Sequence, residues 1–395
     1  MSEKVSIKEL LEGVEVEWKK LGEVCNLITT GKLNANAMVD DGIYPFFTCN
    51  ELPYKINTYA FDLEALIISG NGSQVGHLNY YKGKFNAYQR TYVIGNIDDT
   101  LKIMFLYHYL KYTLKAYITQ NSRKGSVPYI TMPMLEKFQI PIPPLKIQSE
   151  IVRILDNFTE LTAELTAELT ARKKQYQFYR DRLLTFEDGE VEFKRLGEVG
   201  EFIRGKRFVK SDMISKGVPC IHYGEMYTHY NIWTKKSKSF VSPELVEAKK
   251  LRTAQYGDVI FVAAGETIED IGRGTAWFGD REVVIHDACF FFKSELNPKY
   301  VAYFTRTRFF QNQIRKSISS GKISAINAKG LSKVKVPIPS LEEQERIVNI
   351  LDKFVTLTSS ISEGLPHEIE LRQKQYEYYR DLLLTFPKND VKAQV

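Results

Sequence analysis

The chain repeats itself across most of its 395 residues, and this duplication is the strongest constraint on how it can fold. Three blocks return in order: VEWKKLGEV from Val16 as VEFKRLGEV from Val191, PIPPLKIQSEIVRILDNFTELT from Pro141 as PIPSLEEQERIVNILDKFVTLT from Pro337, and RKKQYQFYRDRLLTF from Arg172 as RQKQYEYYRDLLLTF from Arg372. The offsets are 175, 196 and 200 residues. The copies therefore differ in length in a divergent region, and by about one helical turn in a second region.

The regions between the matched blocks diverge, and they predict mixed α and β structure. Short apolar runs predict buried strands at ALIISG, DVIFVAAG and DACFFF. Two segments have helical periodicity, LKIMFLYHYLKYTLKAYI and PKYVAYFTRTRFFQNQIRKSI, and each leads into a polar loop, TQNSRKGS or SSGKIS. At the offset of 196, Gly125, Ile130 and Leu135 stand opposite Gly321, Ile326 and Leu331. The predicted fold class is α+β, with two globular domains of mixed α/β structure.

Each proline-rich PIPPL or PIPSL segment precedes a predicted long helix. Apolar residues recur there at intervals of four and three, the pattern of a coiled-coil seam: Ile147, Ile151, Ile154, Phe158, Leu161 and Leu165 in the first copy, and Ile347, Ile350, Phe354, Leu357 and Ile361 in the second. Gly364 and Pro366 predict a break, with Pro366 opening a new helical segment. Two such helices, related by an approximate twofold axis, predict an antiparallel coiled coil that separates the domains.

This pattern also predicts where the domains begin and end. The divisions are a first domain at 1–145 with an N-terminal segment at 1–15, a helical spacer at 146–186, a second domain at 187–340, a helical region at 341–386 and a tail at 387–395. LLEGVEVEW from Leu10 is similar to LLTFEDGEVEF from Leu183, the junction between the copies, and the C-terminal copy stops at LLLTF. The N-terminal segment is therefore predicted to continue the C-terminal helix, so that the two copies would form a closed ring if the chain were not interrupted at this one junction.

One segment is low in complexity: ELTAELTAELTA, from Glu160 to Ala171, which we term the ELTA tandem. Four residues are close to one turn, so each unit lengthens a helix by about 6 Å and rotates it by about 40°. Within the seam the tandem acts as a stutter, which a coiled coil absorbs by local unwinding. The hypothesis is that the tandem sets a distance. The alternative is that it is ordinary helical sequence, since Glu, Leu and Ala all favour helix.

Composition and missing motifs exclude several classes of protein. No apolar run reaches the roughly 20 residues of a membrane span, and the first residues lack a signal-peptide core, so we expect a cytoplasmic protein. The cysteines are scattered, which argues against a zinc site or a disulfide framework. The chain lacks GxxxxGK[ST], (N/D)PP(Y/F) and HExxH motifs. A net charge of +6 permits a polyanionic partner without requiring one.

Together these blocks resemble the DNA-specificity (S) subunit of type I restriction-modification enzymes. The likeness rests on the paired VE(W/F)K.LGEV, PIP(P/S)L and R(K/Q)KQY..YRD.LL blocks and on the ELTA tandem, which is similar to the family's TAEL-type spacer repeats. It implies two target recognition domains that each read one half of an interrupted sequence in double-stranded DNA. It also implies a non-catalytic chain that docks two methyltransferase (M) subunits and restriction (R) subunits. S-adenosylmethionine, ATP and Mg2+ are then expected on those partners and no cofactor on this chain.

The alternative function is a protein-interaction scaffold with two variable binding domains on a coiled coil. The two functions differ in an observable way. Neutralising DNA phosphates makes binding steeply salt-dependent, whereas protein docking need not be.

Candidate DNA contacts are side chains that hydrogen-bond base edges or hold phosphates, in polar loops near glycine. In the first domain they are Asn121, Ser122, Arg123, Lys124 and Ser126, then Gln74, Lys84, Gln89 and Arg90, with Tyr129 as an aromatic contact. In the second domain they are Ser319, Ser320, Lys322, Ser324 and Asn327, then Arg204, Lys206, Arg207 and Arg273, with Tyr223. The alternative for each is an ordinary solvated loop residue.

The duplicated KKQYQFYRD and QKQYEYYRD segments have two interpretations. Tyr176, Tyr179, Tyr376 and Tyr379 follow the seam spacing and are predicted to pack in it. Their charged neighbours would then face outward: Arg172, Lys174, Arg180, Asp181, Arg372, Lys374, Arg380 and Asp381. A duplicated outward face is what the docking of two identical subunits requires, so the hypothesis is that these residues bind methyltransferase.

Overall fold

The structure is a computed structural model that describes residues 10–122, 128–187, 189–319, 321, 323–360 and 362–387. The chain forms two compact units: unit 1 comprises residues 1–165 and 368–395, and unit 2 comprises residues 166–367. The domain boundaries given above stay predictions. Among the described residues, no helix has the length and apolarity that crossing a membrane demands.

Unit 1 is built on a six-stranded sheet with the order β2-β7-β5-β6-β3-β4. The described strands of unit 1 are β1 (Glu17–Lys20), β2 (Cys25–Thr30), β3 (Tyr44–Phe47), β4 (Tyr54–Ile56), β5 (Phe61–Ser69), β6 (Leu78–Ala87), β7 (Thr91–Ile97) and β8 (Gln139–Ile142), of which β1 and β8 form a separate two-stranded sheet. Apart from the long helices described below, the α-helices of unit 1 are α1 (Leu21–Val24), α2 (Ile103–Asn121) and α3 (Met132–Glu136). Alternate residues of β5 enter different cores, with Leu66 and Ile68 facing α2 and Ile67 facing Phe47 and Phe85. The strand predicted at ALIISG is confirmed as the second half of β5.

Unit 2 contains a five-stranded sheet, β10-β19-β15-β17-β12, and a four-stranded sheet, β13-β11-β18-β14. Its strands are β9 (Glu192–Arg195), β10 (Gly200–Arg204), β11 (Val218–Ile221), β12 (Trp233–Thr234), β13 (Ser239–Val241), β14 (Thr253–Ala254), β15 (Val259–Val262), β16 (Ala264–Gly265), β17 (Gly274–Trp277), β18 (Val283–Ile285), β19 (Cys289–Ser294), β20 (Ser324–Ala325) and β21 (Lys335–Ile338). Its domain helices are α5 (Leu196–Val199), α6 (Tyr223–Thr228), α7 (Pro243–Lys249), α8 (Pro298–Phe304), α9 (Arg308–Ile314) and α10 (Ala328–Ser332). The strands predicted at DVIFVAAG and DACFFF are confirmed as β15 and β19.

One predicted helix is wrong. The segment from Pro298 forms two helices, α8 and α9, separated by Thr305–Thr307. The Thr305 hydroxyl donates to the Ala302 carbonyl (2.7 Å) and accepts from the Gly274 amide (2.9 Å), while Thr307 caps α9 by accepting from the Phe310 amide (3.1 Å). These side-chain bonds replace the helical bonds that a continuous helix would form.

The start of each copy pairs with the strand that precedes its long helix, and we call each of these two-stranded ladders a neck. In unit 1, β1 is antiparallel to β8, with Glu17 opposite Ile142. In unit 2, β9 is antiparallel to β21, with Glu192 opposite Ile338. Each neck is extended by one matched backbone bond, from Leu21 to Phe138 (2.8 Å) and from Leu196 to Val334 (2.9 Å). The repeated VE(W/F)K and PIP blocks therefore close the two ends of each variable region on each other.

Long helices follow the necks. The first, α4 (Leu145–Leu183), is continuous over 39 residues, or about 58 Å. The second block gives α11 (Leu341–Ser359) and, after a break, α12 (Leu365–Leu384). A Cβ at Gly364 would lie 2.3 Å from the Thr356 carbonyl oxygen, so this close backbone approach requires glycine. The predicted break at Gly364 and the new helix opening at Pro366 are confirmed.

The ELTA tandem lies wholly inside α4. Its leucines and Thr162 are half-buried, while its other side chains are exposed. Its threonines follow helical geometry, with the Thr170 hydroxyl bonded to the Thr166 carbonyl (3.0 Å). The tandem is thus a uniform helical segment, and its role in spacing stays a prediction.

The helices pair through aromatic residues within each unit. In unit 1, Phe158 of α4 stacks on Tyr379 of α12, with centroids 5.3 Å apart. In unit 2, Tyr179 of α4 stacks on Phe354 of α11 at 5.6 Å, and Tyr176 also contacts Phe354. Tyr176, Tyr179 and Tyr379 therefore pack in the seam as predicted, whereas Tyr376 packs against the core of unit 1. Ile361, the last predicted seam residue, lies outside the described residues.

The seam prediction missed a second buried face. Leu155 and Leu351 are completely buried, and each lies in the core of its own domain. Ile151, which was predicted in the seam, is buried in the domain core as well. Each long helix is therefore part of the globular domain of its unit over its first turns and part of a helix pair farther on.

The end of the second copy completes unit 1. Leu383, Leu384 and Phe386 are buried in the unit 1 core, and the Trp18 indole donates to the Pro387 carbonyl (3.1 Å). Leu184, in the matched LLTF segment, is buried in the unit 2 core. The prediction that the C-terminal helix leads into the N-terminal segment agrees with this packing.

Candidate nucleic-acid interface

The candidate surface of unit 1 lies where the central strand β5 ends. The Gly70 amide donates to the Arg90 carbonyl (2.9 Å), and the Gly70 carbonyl accepts from the Ile130 amide (2.9 Å). A Cβ at Gly70 would lie 2.4 Å from the Arg90 oxygen, so only glycine permits this approach. These bonds bring the turn after β5, the turn between β6 and β7 and the chain after α2 to one end of the sheet.

Four predicted contacts of unit 1 are exposed at this end: Gln74, Gln89, Arg90 and Tyr129. Lys84 is not among them, because it pairs in register with Asp62 at the other end of the β5–β6 ladder, with its ammonium 4.7 Å from the Tyr59 ring centroid. Asn121 and Ser122 close α2 by donating to the Tyr117 and Ile118 carbonyls (2.9 and 2.7 Å). Arg123, Lys124 and Ser126 lie outside the described residues.

The candidate surface of unit 2 lies at the end of β15. The Ala263 amide donates to the Ala288 carbonyl (2.8 Å), and the Ala263 carbonyl accepts from the Ile326 amide (2.9 Å). Ile326 is the sequence match of Ile130, which makes the same bond in unit 1. In both units, therefore, the chain after the polar loop is fixed to the end of a central strand by the same isoleucine amide.

Five predicted contacts of unit 2 belong to segments that meet at this end: Arg204, Lys206, Arg207, Tyr223 and Arg273. The Arg204 guanidinium donates to the Asp287 carbonyl (2.8 Å), and the Lys206 amide donates to the Ile285 carbonyl (3.0 Å). The Arg273 carbonyl accepts from the Val262 amide of β15 (3.0 Å), and its guanidinium is paired with Asp270 (2.7 Å).

The remaining predicted contacts of unit 2 have structural bonds. Ser324 is only 5% exposed, and it pairs with Gly265 in the β16–β20 ladder. Asn327 caps α10 by accepting from the Gly330 amide (2.9 Å), and the Ser319 hydroxyl donates to the Ala325 carbonyl (3.1 Å). Ser320 and Lys322 lie outside the described residues. The DNA contacts of all five residues stay predictions. Ser324 could reach a base only if the β16–β20 ladder rearranged to expose its side chain.

A pair of histidines beside Tyr223 was not singled out from the sequence. The rings of His222 and His286 are 4.4 Å apart, and each Nδ1 accepts a backbone amide, from Gly224 (3.3 Å) or Ala288 (3.0 Å). Burial lowers the pKa of His222 to about 4, with a further contribution from His286, and burial also lowers the pKa of His286. Both rings are therefore neutral near pH 7, and their protons are on Nε2. No sequence signal relates two residues so far apart in the chain.

The sequence also missed a loop in unit 1. The Cys49 thiol donates to the Arg90 carbonyl (3.4 Å), and the Asn50 amide donates to the Tyr54 hydroxyl (2.7 Å). This loop between β3 and β4 therefore borders the candidate surface. For the described ranges, no group of three His, Cys, Asp or Glu side chains could hold a metal ion.

Comparison with known proteins identifies the family. The model of the type I restriction modification DNA specificity domain matches twice, at residues 13–172 and 188–371. The chain belongs to this family. The two matches contain the two candidate surfaces, one in each unit.

Two relatives of this specificity subunit align over nearly its whole length. A type I restriction enzyme specificity subunit of Escherichia coli is 34% identical over 413 residues, covering 98% of each chain. A putative type I restriction enzyme specificity subunit of Haemophilus influenzae is 35% identical over 401 residues, covering 96% of this chain and 98% of its own. The chain is thus a specificity subunit of a type I restriction-modification system.

Solved structures share its fold at low identity. The crystal structure of an S subunit from M. genitalium has a TM-score of 0.56 at 15% identity and covers 98% of this chain and 100% of its own. A chain from a study of complex assembly and conformational transition in a type I system has a TM-score of 0.61 at 16% identity, with 93% and 97% coverage. The predicted fold, two α/β domains joined by long helices, is confirmed.

Proposed function

We propose that the two candidate surfaces each read one half of an interrupted duplex sequence, while the long helices set the gap between the halves. The observation that carries this proposal is the matched geometry of the units, in which the amides of Ile130 and Ile326 hold the chain that follows each polar loop to the end of a central strand. The candidate contact residues around Ile130 differ from those around Ile326, as two half-targets of different sequence require. Arginine and glutamine are suited to guanine and adenine edges, and hydroxyl and lysine groups to phosphates.

In this proposal the chain contributes recognition and its partners contribute the chemistry. Methyl transfer and DNA cleavage belong to methyltransferase and restriction subunits, which bind S-adenosylmethionine, ATP and Mg2+. Support comes from the absence of the corresponding phosphate-binding and amine-methylation motifs from the sequence.

Salt dependence of duplex binding tests DNA recognition against a protein scaffold. We expect the chain, assembled with its methyltransferase partner, to lose at least about a hundredfold in duplex affinity between 50 and 200 mM salt, because several phosphates release counterions. Arg90→Gln and Arg207→Gln, at exposed positions of the two surfaces, should each lower the salt slope by about one or relax one base position.

Lys353→Gln is the control, because this exposed lysine lies on α11 and belongs to neither candidate surface. Binding curves by fluorescence anisotropy would show the parental slope for this variant. Duplex affinity that is independent of salt, or of both arginines, would favour the scaffold.

The duplicated helical face is the proposed docking site for two methyltransferase subunits. Most of its polar contacts recur in both copies: Arg172 bonds Glu168 and Gln175, and Arg372 bonds Glu368 and Gln375. Arg180 and Arg380 each bond the following aspartate, and each lies 5.8 Å from the centroid of the tyrosine four residues before it. Lys374 is paired with Glu370 (2.6 Å), and Lys174 is exposed. Most of these charges are satisfied within the face, so they shape it more than they supply its affinity.

Each copy of the duplicated face also has an exposed aromatic residue that was not singled out from the sequence. Phe178 is 58% exposed and Tyr378 is 57% exposed, and both pack edge-on against the next tyrosine. In unit 2, Phe178 lines an open groove of about 850 Å³ together with Lys174, Asp181, Arg308 and Phe309. Large exposed aromatic side chains held in a fixed position are typical anchors of protein interfaces.

Truncating the anchors should change stoichiometry one step at a time. Phe178→Ala or Tyr378→Ala should remove one of two bound methyltransferase subunits, and the double variant should remove both, since each anchor typically contributes about 2 kcal/mol or more. Native mass spectrometry of the assembled complex gives the count. Leu371→Ala, at an apolar residue of α12 that is 42% exposed, is the control. A double variant that still binds two subunits would exclude the aromatic residues as anchors.

A further inference from the structure

The repeated helical block contains two polar positions that a coiled-coil seam does not explain. Gln148 and Gln344 occupy one position and are 0% and 1% exposed. Asp156 and Asp352 follow eight residues later, close to the same face of the helix two turns on. A buried polar group is stable only where its hydrogen bonds are satisfied, so these residues must have partners.

The glutamine of unit 1 binds the recognition domain through main-chain atoms. Its Oε1 accepts from the Lys102 amide (2.8 Å), and its Nε2 donates to the Thr100 carbonyl (2.8 Å) and the Pro143 carbonyl (2.8 Å). Lys102 is the N-cap residue of α2. Gln148 therefore connects the start of α4 to the start of the main domain helix.

The glutamine of unit 2 makes the equivalent connection. Its Oε1 accepts from the Asn297 amide (2.9 Å), and its Nε2 donates to the Pro339 carbonyl (2.9 Å). Asn297 is the N-cap residue of α8. The two variable domains differ in fold detail, yet the same glutamine binds the N-cap amide of the same domain helix in each.

The aspartates form a second connection two turns farther along. Asp156 accepts from His108 Nε2 in α2 (2.7 Å). Asp352 accepts from the Lys299 ammonium (2.5 Å) and the Tyr303 hydroxyl (2.6 Å), both in α8. Each pair of helices is thus held at two points, which fixes their angle as well as their contact.

We propose that Gln148 with Asp156 and Gln344 with Asp352 are positioning residues that fix each recognition domain on its long helix and thereby restrict the protein to one gap length. This inference rests on the proposed function. The long helices can define a gap only if a domain cannot tilt on them, since a displacement of about 3.4 Å moves its reading surface by one base pair. Apolar burial at Ile151 and Leu155 holds the elements together without fixing their angle, because the hydrophobic effect is not directional.

The test compares the methylated motifs of strains that carry the complete restriction-modification system with altered forms of this chain. For Asp156→Ala and Asp352→Ala, both half-sequences should stay unchanged. In the parent, motifs whose gap is one base pair longer or shorter are methylated only at background. In these variants such motifs should reach roughly a tenth or more of the methylation of the parental motif, because losing one specific contact typically weakens discrimination between target sequences about tenfold. Gln148→Met and Gln344→Met should broaden the gap in the same way.

Matched controls separate positioning from simple loss of stability. Asn157→Ala and Lys353→Ala alter the exposed neighbours of the two aspartates, and Asp156→Asn keeps an acceptor for His108. All three should methylate only the parental gap. A variant that is merely unstable would lose methylation at every motif without gaining new gaps, and the half-exposed Asp156 is informative even if the buried glutamine variants do not fold.

A single parental gap in both aspartate-to-alanine variants, with methylation retained, would overturn the positioning role while leaving the proposed function intact. A parent strain without any two-part motif would instead overturn the proposed function, and the positioning role with it.

Discussion

Inserting one further ELTA unit after Ala171 should lengthen the gap between the two half-targets by one or two base pairs and leave the bases of both halves unchanged. The reason is geometric, because four residues add about 6 Å of helix and one base-pair step is about 3.4 Å. The insertion point lies inside the continuous helix α4, in a stretch whose side chains are mostly exposed. The remaining rotation of about 40° is absorbed by local unwinding of the helix pair.

Methylated motifs in otherwise identical strains provide the measurement. Deleting one unit should shorten the gap by the same amount. The control keeps the length and changes the sequence: Thr162→Ala, Thr166→Ala and Thr170→Ala together leave a helix-forming segment of the same number of residues. This triple variant should keep the parental gap. An unchanged gap after insertion, in a protein that still methylates, would reduce the ELTA tandem to ordinary helical sequence.

Replacing residues 197–335 with the equivalent region of a relative should change one half of the target completely and leave the other half intact. The structure makes this exchange feasible, because its two ends meet in a neck, where the Leu196 amide donates to the Val334 carbonyl (2.9 Å). Backbone bonds of this kind do not depend on the side chains of the inserted region. All candidate DNA contacts of unit 2 lie within the exchanged segment.

The reciprocal exchange of residues 22–139 in unit 1 is the matched control, since the Leu21–Phe138 bond closes that region in the same way (2.8 Å). It should alter only the opposite half-target. Motif analysis of both strains gives the outcome. A change in both halves after either exchange would show that the domains do not read DNA independently.

The duplicated blocks predicted the parts of the fold that depend on local pattern. The helices α4 and α11, the break at Gly364 and the central strands β5 and β15 follow from periodicity, glycine and proline. The break between α8 and α9 does not, because it depends on the Thr305 hydroxyl meeting the Gly274 amide from a distant strand. Periodicity records which residues are apolar and does not record such tertiary bonds.

The candidate surfaces were predicted less well than the fold. The polar loop composition singled out Gln74, Arg90 and Tyr129, which the structure brings to one end of the unit 1 sheet, because loops at strand ends are where glycine and polar residues collect. It could not show that Asn327 caps α10 or that Ser324 is buried, since the sequence shows the same residue type whether its hydroxyl or amide group binds DNA or bonds the protein backbone. Nor could it pair His222 with His286, which only the sheet brings together.

The contribution of Leu383, Leu384 and Phe386 to the core of unit 1 also has a consequence for biosynthesis. A nascent chain ordinarily folds its N-terminal domain first, as that domain leaves the ribosome. Here the residues of unit 2, 166–367, have all been synthesised while unit 1 still lacks three side chains of its core. The order of completion during translation is therefore inverted: the domain made first is the last to be finished, and a chain interrupted soon after residue 367 has every residue of unit 2 but lacks part of the core of unit 1.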